Sequence, residues 1–445
     1  MIEHLRRITP RQWLVIILIL AFIPRAATAL WLGDTMEVLD AGGTHDQVSY
    51  DMLAYRLATG HGFTFPEPWY PWVPADTETS YYSGTMVLHL AIIYKLFGYH
   101  PLVARLFYAL LGTAIVYLVY RLGRRIFGRT AGLAAAACAA GYSYLILYSA
   151  TLLTETPFIF FLLLALNAAY AVAETGSRRG LVMLGVALAG TLLFRMAVLP
   201  FVLALLLWIY FTARRSPRPL RFWHLAIPLG IIVLAVLPWT VRNYLLFGRF
   251  MLLESQFGHV LWNSNHPDQG IHFRGSWVAP IPPELLSLSE PEITNELLKR
   301  GIQNVLADPG RFFLLTLSRI KFFFTFWPTA DTGLINNLGR VFSFGIMLPF
   351  MVTGLYLSRP YWRKALPLYL FLVIHLGVYL VSWVMIRYRI PADTVLLVFG
   401  GLAIIRIAER WSEMMPKCTT RKRPPQIRWR PALQPAPEEK ERVEA

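Results

Sequence analysis

The stretch WLVIILILAFIPRAATALWL, residues 13–32, is the first of many apolar runs in the chain and is long enough to cross a membrane as a helix. A polar segment that carries carboxylates, THDQVSYDMLA at residues 44–54, follows it. The apolar run is too long for a signal peptide and contains Pro24-Arg25 where a cleavage site would need small residues. We therefore expect a retained membrane span with an acidic segment beside it, an arrangement that suggests chemistry at the membrane surface.

Composition indicates an integral membrane protein. Of the 445 residues, 56% are hydrophobic and 15% are charged, whereas soluble domains are typically about 45–50% apolar and about 25% charged. The formal charge of +16 could indicate nucleic-acid binding, but Lys and Arg recur in short clusters between apolar runs. That pattern is typical of cytoplasmic loops, so we expect no nucleic-acid partner. Cys138 and Cys418 provide neither a disulfide framework nor metal-ligand spacing.

The basic clusters predict the topology, with the N-terminus in the cytoplasm. Residues 84–97 are too few to cross comfortably at about 1.5 Å per residue, so we expect them in the outer interface. Residues 312–327 carry Arg319 and Lys321 among phenylalanines and are predicted to be interfacial or re-entrant. A charge at the bilayer centre is costly, so Arg195 is placed at the outer tip of a helical hairpin. About ten spans result: 12–32, 102–120, 130–150, 157–173, two within 181–213, 222–239, 339–357, 365–384 and 390–408.

The predicted fold is an all-α integral membrane protein, a bundle of about ten transmembrane helices with juxtamembrane helices in the first outer loop. Residues 1–410 form the transmembrane domain, with a first outer loop at 33–82 and a second large outer loop at 240–310. Residues 411–445 are a basic, Pro-rich cytoplasmic tail that we expect to be disordered. We expect a multi-pass protein of the inner (plasma) membrane.

Polar residues from distant parts of the chain fall at the outer boundary of this topology. Arginines there are disfavoured by the positive-inside rule, and arginines that meet carboxylates suggest a pocket for an anionic group such as a phosphate. The set comprises Asp46, Tyr50, Asp51, Glu78, Arg105, Glu155, Arg195, Arg242, Asn243, Arg387 and Arg389.

A series of motifs runs in order through the chain, from about residue 13 to 408. Besides Asp46 with Tyr50 four residues later, they are LAYRLATGHGF (53–63), YKLFGYHPLVARLFYALLGT (94–113), YRLGRRIFGRTAGLAAAA (120–137), LTETPF (153–158), LFRMAVLP (193–200), LPWTVRNYLLFGRFMLLES (237–255), LWNSN (261–265) and RYRIP (387–391). Together they resemble the polytopic lipid-linked glycosyltransferases of the C superfamily, in the branch that holds the protein O-mannosyltransferases and the aminoarabinose transferase of lipid A.

The resemblance implies a polyprenyl-phosphate sugar as donor and an acceptor hydroxyl, on a glycan, lipid or protein, that approaches from the outer side. In this superfamily the aspartate of the first outer loop is the catalytic base, a role that maps onto Asp46. The position of Glu155 usually holds Asp in the family.

Transfer from a lipid phosphate requires a base for the acceptor hydroxyl and cations for the departing phosphate. With Asp46 as the base, the anomeric centre should invert. Arg387, Arg389 and Arg195 are the candidate phosphate ligands. Substrate contacts are predicted for Tyr50, Glu155, Arg242, Asn243, Trp262 and Asn263. A divalent ion held by Glu155 or Glu78 could assist the departing phosphate, although no His or Cys spacing supports a dedicated metal site.

Each assignment has a structural alternative. Asp46 could cap a helix over 47–59, Glu155 could cap the span that follows it, and Arg387 and Arg389 could be interfacial anchors. At the level of function, the alternatives are a transporter or flippase of a lipid-linked sugar and a noncatalytic glycolipid-binding scaffold.

The topology can be tested by cysteine-accessibility labelling in a background without native cysteines. Cysteines at residue 60 and at residue 425 should react from opposite sides of the membrane, because the first lies in an outer loop and the second in the cytoplasmic tail. Labelling of both from the same side would refute the topology.

Overall fold

The computed structural model describes residues 9–36, 45–69, 73–82, 84–275, 277–329 and 333–414. The predicted disordered tail therefore lies almost wholly outside the described residues. The described part is helical, and its only β interaction is an isolated bridge between Thr64 and Glu78. The chain forms two compact units, residues 1–406 and 407–445, and of the second only the end of the last helix is described.

The α-helices are numbered in chain order. They are α1 (Pro10–Leu32), α2 (His45–Ala58), α3 (Gly84–Phe97), α4 (Pro101–Phe127), α5 (Arg129–Gly141), α6 (Ser143–Leu147), α7 (Glu155–Thr175), α8 (Arg178–Phe194), α9 (Leu199–Ala213), α10 (Ala226–Phe247), α11 (Gln256–Ser264), α12 (Glu290–Ala307), α13 (Pro309–Phe323), α14 (Leu334–Gly339), α15 (Ile346–Leu357), α16 (Trp362–Val381) and α17 (Ile386–Met414).

Eight helical segments of the described chain are long and apolar enough to cross a membrane, which confirms a multi-pass, all-α membrane protein. They are Pro10–Leu32, Pro101–Phe127, Glu155–Thr175, Met196–Ala213, Phe222–Phe247, Asn337–Leu357, Arg359–Val381 and Ile386–Met414. As expected, α2 lies in the first loop and Gly84–Phe97 is a shorter apolar helix.

Eight of the about ten expected spans correspond to these segments, and the other two are shorter helices in the described chain. The apolar stretch 130–150 breaks after α5, which has 13 residues, and 181–194 forms α8, which has 17. Arg195 does separate α8 from α9, as expected: its backbone is extended and a 3₁₀ turn, Met196–Val198, follows it.

The early end of α5 is stabilised by a buried arginine from α1. Arg25 has no exposed surface and donates to the carbonyl oxygens of Ala140 and Ala139 at 3.1 Å each, and to Ala21 of its own helix at 2.7 Å. The last carbonyls of a helix lack partners within that helix, and in a bilayer each unpaired polar group is costly. Arg25 supplies the partners and allows the helix to end inside the bundle.

The basic clusters gather at one end of the bundle. Arg125 pairs with Glu174 at 3.2 Å, Tyr170 donates to the carbonyl of Lys364 at 2.5 Å, and Arg406 donates to the hydroxyl of Tyr361 at 3.1 Å. The ends of α4 and α7 therefore lie beside the start of α16. This arrangement agrees with basic loops on a single side of the membrane.

Replacing Arg25 should destabilise the fold. Arg25→Met leaves the end carbonyls of α5 without partners, and the loss of hydrogen bonds to a charged group costs about 1.5–3 kcal/mol or more. We expect a lower melting temperature in detergent. Arg11→Met, which replaces an exposed arginine at the start of α1, is the control. Equal melting temperatures for the two variants would contradict this role.

Candidate functional site

The proposed catalytic aspartate is held by the last span. Asp46 is the second residue of α2, and its carboxylate accepts a hydrogen bond from Nη2 of Arg387, the second residue of α17. The hydroxyl of Tyr82 lies 3.4 Å from the Oδ1 atom of Asp46. Because α2 already begins at His45, Asp46 lies inside the helix and does not cap it. The side chain of Asp46 remains 26% exposed, whereas that of Arg387 is 6% exposed, so the carboxylate can meet a substrate.

A second carboxylate joins Arg387 to another arginine. Glu155, the first residue of α7, has no exposed surface. Its Oε1 atom lies 2.5 Å from Nη2 of Arg195 and 3.7 Å from Nε of Arg387. We call this spatial series of four side chains, Asp46, Arg387, Glu155 and Arg195, the charge chain. Its charges alternate and sum to zero, which is the arrangement in which buried ions are tolerated.

Tyrosines surround Arg195 at the end of the charge chain. Its Nη1 atom donates to the hydroxyl of Tyr379 at 3.0 Å, and its guanidinium lies 4.7 Å from the ring centre of Tyr388. Cation–π contacts of this kind add to the Coulombic attraction of Glu155. Arg195 can occupy this position because its extended backbone interrupts the helix between α8 and α9.

Tyr50 lines the site one helical turn after Asp46. Its ring packs edge-on against Tyr82, with centres 5.2 Å apart. Burial raises the pKa of Tyr50, and the nearby charges of Asp46 and Glu254 raise it further. The hydroxyl therefore stays protonated and available as a hydrogen-bond donor.

Asp51 belongs to a different environment, as its angular position on α2 predicts. Its Oδ1 atom accepts from the hydroxyl of Tyr94 at 2.5 Å and its Oδ2 atom from that of Tyr99 at 2.8 Å. Burial raises the pKa of Asp51, although both hydrogen bonds act to lower it. This carboxylate fastens α2 to α3 and to the turn after it.

Arg389, expected among the phosphate ligands, is not placed with the charge chain. Its side chain has no exposed surface and pairs with Asp393, 3.1 Å away and also unexposed. It also donates to the carbonyl of Phe323 at 2.5 Å, and its guanidinium lies over the ring of Phe344 at 3.5 Å. Arg387 and Arg389 are two positions apart on a helix and so point in different directions. The structure does not support the phosphate-binding assignment of Arg389.

Arg242 and Asn243, expected to contact substrate, instead support loops. Arg242 pairs with Glu78 and donates to the carbonyl of Thr79 at 2.8 Å. Asn243 is fully buried, and its amide donates to the carbonyl of Leu253 at 3.0 Å.

Trp262 and Asn263 are likewise internal. Trp262 is 3% exposed and Asn263 is 6% exposed, and the amide oxygen of Asn263 accepts from the backbone N–H of Ala279 at 2.6 Å. Their assignment as substrate contacts is not supported, because their polar and aromatic surfaces are used within the segment 240–310.

Neither proposed metal-binding carboxylate fits a metal site. Glu155 is neutralised by two arginines and Glu78 pairs with Arg242. In the described ranges, no three His, Cys, Asp or Glu side chains are grouped so that they could hold a metal ion.

Glu254 is a site residue that the sequence reasoning missed. Burial raises the pKa of Glu254, the charge of Arg195 lowers it and that of Asp46 raises it, and the charge of Glu254 in turn raises the pKa of Tyr50. Glu254 is the only acidic residue in the stretch LPWTVRNYLLFGRFMLLES. That isolation within a motif already noted for its resemblance was the signal that could have identified it.

Known proteins share both part of the sequence and the fold. The model of the dolichyl-phosphate-mannose-protein mannosyltransferase family matches residues 86–239. No curated protein matches the chain.

Two solved structures illustrate the shared fold. The archaeal oligosaccharyltransferase AglB from Archaeoglobus fulgidus, in complex with an inhibitory peptide and a dolichol-phosphate, aligns with a TM-score of 0.54 and 16% identity, covering 90% of this chain and 51% of that one. ArnT from Cupriavidus metallidurans bound to undecaprenyl phosphate aligns with a TM-score of 0.53 and 13% identity, covering 90% of this chain and 62% of that one.

A further structure of the A. fulgidus oligosaccharyltransferase, a complex with Zn and sulfate, aligns with a TM-score of 0.55 and 15% identity, covering 89% of this chain and 50% of that one. The chain thus spans about half the length of the oligosaccharyltransferases it matches. The family match over residues 86–239 and the shared fold agree with the expected resemblance to the polytopic lipid-linked glycosyltransferases of the C superfamily.

Mutation of the two carboxylates of α2, Asp46 and Asp51, should affect sugar transfer and the melting temperature differently. Asp51→Ala leaves the hydroxyls of the buried Tyr94 and the exposed Tyr99 without their partner, a loss of about 1–3 kcal/mol. It should lower the melting temperature while sugar transfer falls only a few-fold. Asp46→Ala should abolish transfer with a smaller effect on melting. The reverse pattern would mean that the roles of the two residues are exchanged.

Proposed function

We propose that the protein transfers a sugar from a polyprenyl-phosphate donor to an acceptor hydroxyl at the outer face of the membrane, with inversion at the anomeric carbon. The observation that carries this proposal is the contact between Asp46 and Arg387, which puts a partly exposed carboxylate beside a guanidinium suited to phosphate. The relatives captured with dolichol-phosphate and with undecaprenyl phosphate support this class of donor.

Arg387 and Arg195 would receive the donor phosphate. Both lie at helix ends on the same side of the bundle, and Glu155 between them holds the two guanidiniums in place. When the phosphate contacts Arg387, that arginine no longer has to neutralise Asp46. Donor binding thereby releases the Asp46 carboxylate to act as a base.

Asp46 would then accept the proton of the acceptor hydroxyl. The acceptor oxygen bonds to the anomeric carbon while the bond from that carbon to the phosphate oxygen breaks, and the lipid phosphate leaves with the electron pair. A positioned base contributes about 10²–10⁴-fold to the rate. The arginines stabilise the charge that develops on the leaving phosphate.

The position of the charge chain favours an enzyme over a transporter or flippase. Its members lie at the start of α2, of α7 and of α17 and in the break before α9. A transport site is expected near the midplane, between helices that open alternately. The basic clusters at the opposite end of the bundle favour an outer-face site in the inner membrane.

Asp46→Asn tests the base. We expect transfer to fall by about a hundredfold or more while the affinity for undecaprenyl phosphate stays within a few-fold. Transfer would be followed with radiolabelled donor and with membranes from cells that lack the gene as the acceptor source, and NMR of the product would give the anomeric configuration. Retention of configuration, or near wild-type transfer by Asp46→Asn, would refute the assignment.

Alanine substitutions of the arginines test the phosphate site. Arg387→Ala and Arg195→Ala should each weaken undecaprenyl phosphate binding by about ten- to a hundredfold, because a charge-assisted hydrogen bond is worth about 1.5–3 kcal/mol. Arg389→Ala is the matched comparison on α17, and it should lower the melting temperature without a selective loss of lipid affinity. Unchanged lipid affinity in both of the first two variants would return these arginines to a structural role.

A further inference from the structure

Glu254 lies in the connection between α10 and α11, where the backbone before it is held by side chains of α10. The carbonyl of Leu253 accepts two hydrogen bonds, from Nε1 of Trp239 at 2.8 Å and from Nδ2 of Asn243 at 3.0 Å. Both donors lie on the last turns of α10. The residue immediately before Glu254 is thus fixed to the transmembrane bundle.

The backbone after Glu254 is held by the first loop. The N–H of Ser255 donates to the carbonyl of Ser80 at 3.0 Å. The hydroxyl of Ser255 donates to Glu290 at 2.7 Å, and the same carboxylate oxygen accepts from the hydroxyl of Ser80 at 2.6 Å. With both neighbours held, Glu254 has a position built by the fold, which is how precisely placed site residues are supported.

The Glu254 side chain has no such partner. It is partly buried, and its carboxylate forms no hydrogen bond or ion pair with any described residue, although Asp46, Tyr50 and Arg195 surround it closely enough to interact electrostatically. Asp46 and Glu155, by contrast, are both paired with arginines. The oxygens of Glu254 are thus not occupied by any described protein group, and a ligand that enters beside Asp46 can contact them.

The neighbouring charges restrict the chemistry of that ligand. A carboxylate repels phosphate, for which Arg195 and Arg387 are the suited partners. Its oxygens accept hydrogen bonds, and a sugar or an acceptor alcohol offers hydroxyl donors. We propose that Glu254 binds a hydroxyl group of a substrate, either on the transferred sugar or on the acceptor, beside Asp46. This assignment rests on the proposed function.

The environment of Glu254 also implies a dependence on pH. Burial raises the pKa of Glu254 to about 7, an effect that Arg195 opposes and Asp46 reinforces. His259 on the helix that follows does not titrate in this range, because burial lowers its pKa to about 4. The ionised acceptor is therefore lost as the pH falls through about 7. Substrate affinity should weaken in the same interval in the wild type, and it should not change there in Glu254→Gln.

The decisive measurement compares two lipids on the full-length protein. The dissociation constants of undecaprenyl phosphate and of undecaprenyl phosphate carrying a neutral hexose would be measured from pH 6 to pH 8 for the wild type, Glu254→Gln and Glu254→Ala. Glu292→Gln, which alters an exposed carboxylate of the same outer region, is the matched control. The KM for acceptor would be measured with membranes from cells that lack the gene.

If the hydroxyl belongs to the sugar, the Glu254 variants should bind the hexose-bearing lipid about ten- to a hundredfold more weakly and the bare lipid unchanged. If it belongs to the acceptor, both lipid affinities persist and the KM for acceptor rises by a similar factor. In either case the inflection near pH 7 disappears.

Variants that change none of these quantities would overturn the assignment, as would variants that weaken both lipids equally, because that result indicates a role in shaping the phosphate site. In both cases wild-type binding of the lipids leaves the proposed function intact. If the wild type binds neither lipid, the proposed function itself fails.

Discussion

The buried charge chain is the interaction on which the arrangement of this end of the protein depends. Asp46, Arg387, Glu155 and Arg195 come from the first loop, the last span, the start of α7 and the break before α9. Any one of these ions left alone in an apolar surrounding would carry a large desolvation penalty. Four distant segments must therefore meet for any of them to be tolerated, and the meeting point is also the place where a carboxylate stays accessible.

Other buried arginines at this end act on backbone carbonyls. Arg105 donates to the carbonyls of Ala150 and Thr35 at 2.5 and 2.6 Å, and Arg319 donates to carbonyls of the last residues of α11 and α16. Arg25 does the same at the end of α5. Broken helices expose carbonyl groups that a lipid environment cannot satisfy, and the planar guanidinium with its several donors can bind them. A buried arginine in this protein thus marks a helix break as readily as it marks an ion pair.

The segment 240–310 supports the site through its hydrogen bonds and ion pair with the first loop. Glu290, at the start of α12, accepts hydrogen bonds from Thr79, Ser80 and Ser255, and Arg242 pairs with Glu78. The residues expected to touch substrate in this region therefore hold two loops together. Their joint effect is to place Glu254, a residue with no structural partner of its own among the described residues.

Much of this could be predicted from the sequence because it depends on local chemistry. Apolar runs of membrane length predict the helices, clustered arginines predict a basic end, and the cost of a charge within a span places Arg195 between two helices. Asp46 could be singled out by its place after the first span, and its angular separation from Asp51 on a helix predicts different surroundings for the two carboxylates. These features need no knowledge of distant contacts.

The partners of the charged groups were decided only by the tertiary structure. Arg387 and Arg389 are two positions apart and chemically identical, yet one meets Asp46 and the other meets Asp393 inside the bundle. In the sequence Glu254 resembles any acidic loop residue. It lies beside Asp46 because hydrogen bonds hold both of its neighbours, Leu253 and Ser255. The sequence by itself determined which residues are charged and roughly how deep they lie. Their roles depend on which opposite charge or carbonyl packing brings within about 3 Å, and that follows from the fold of the whole chain.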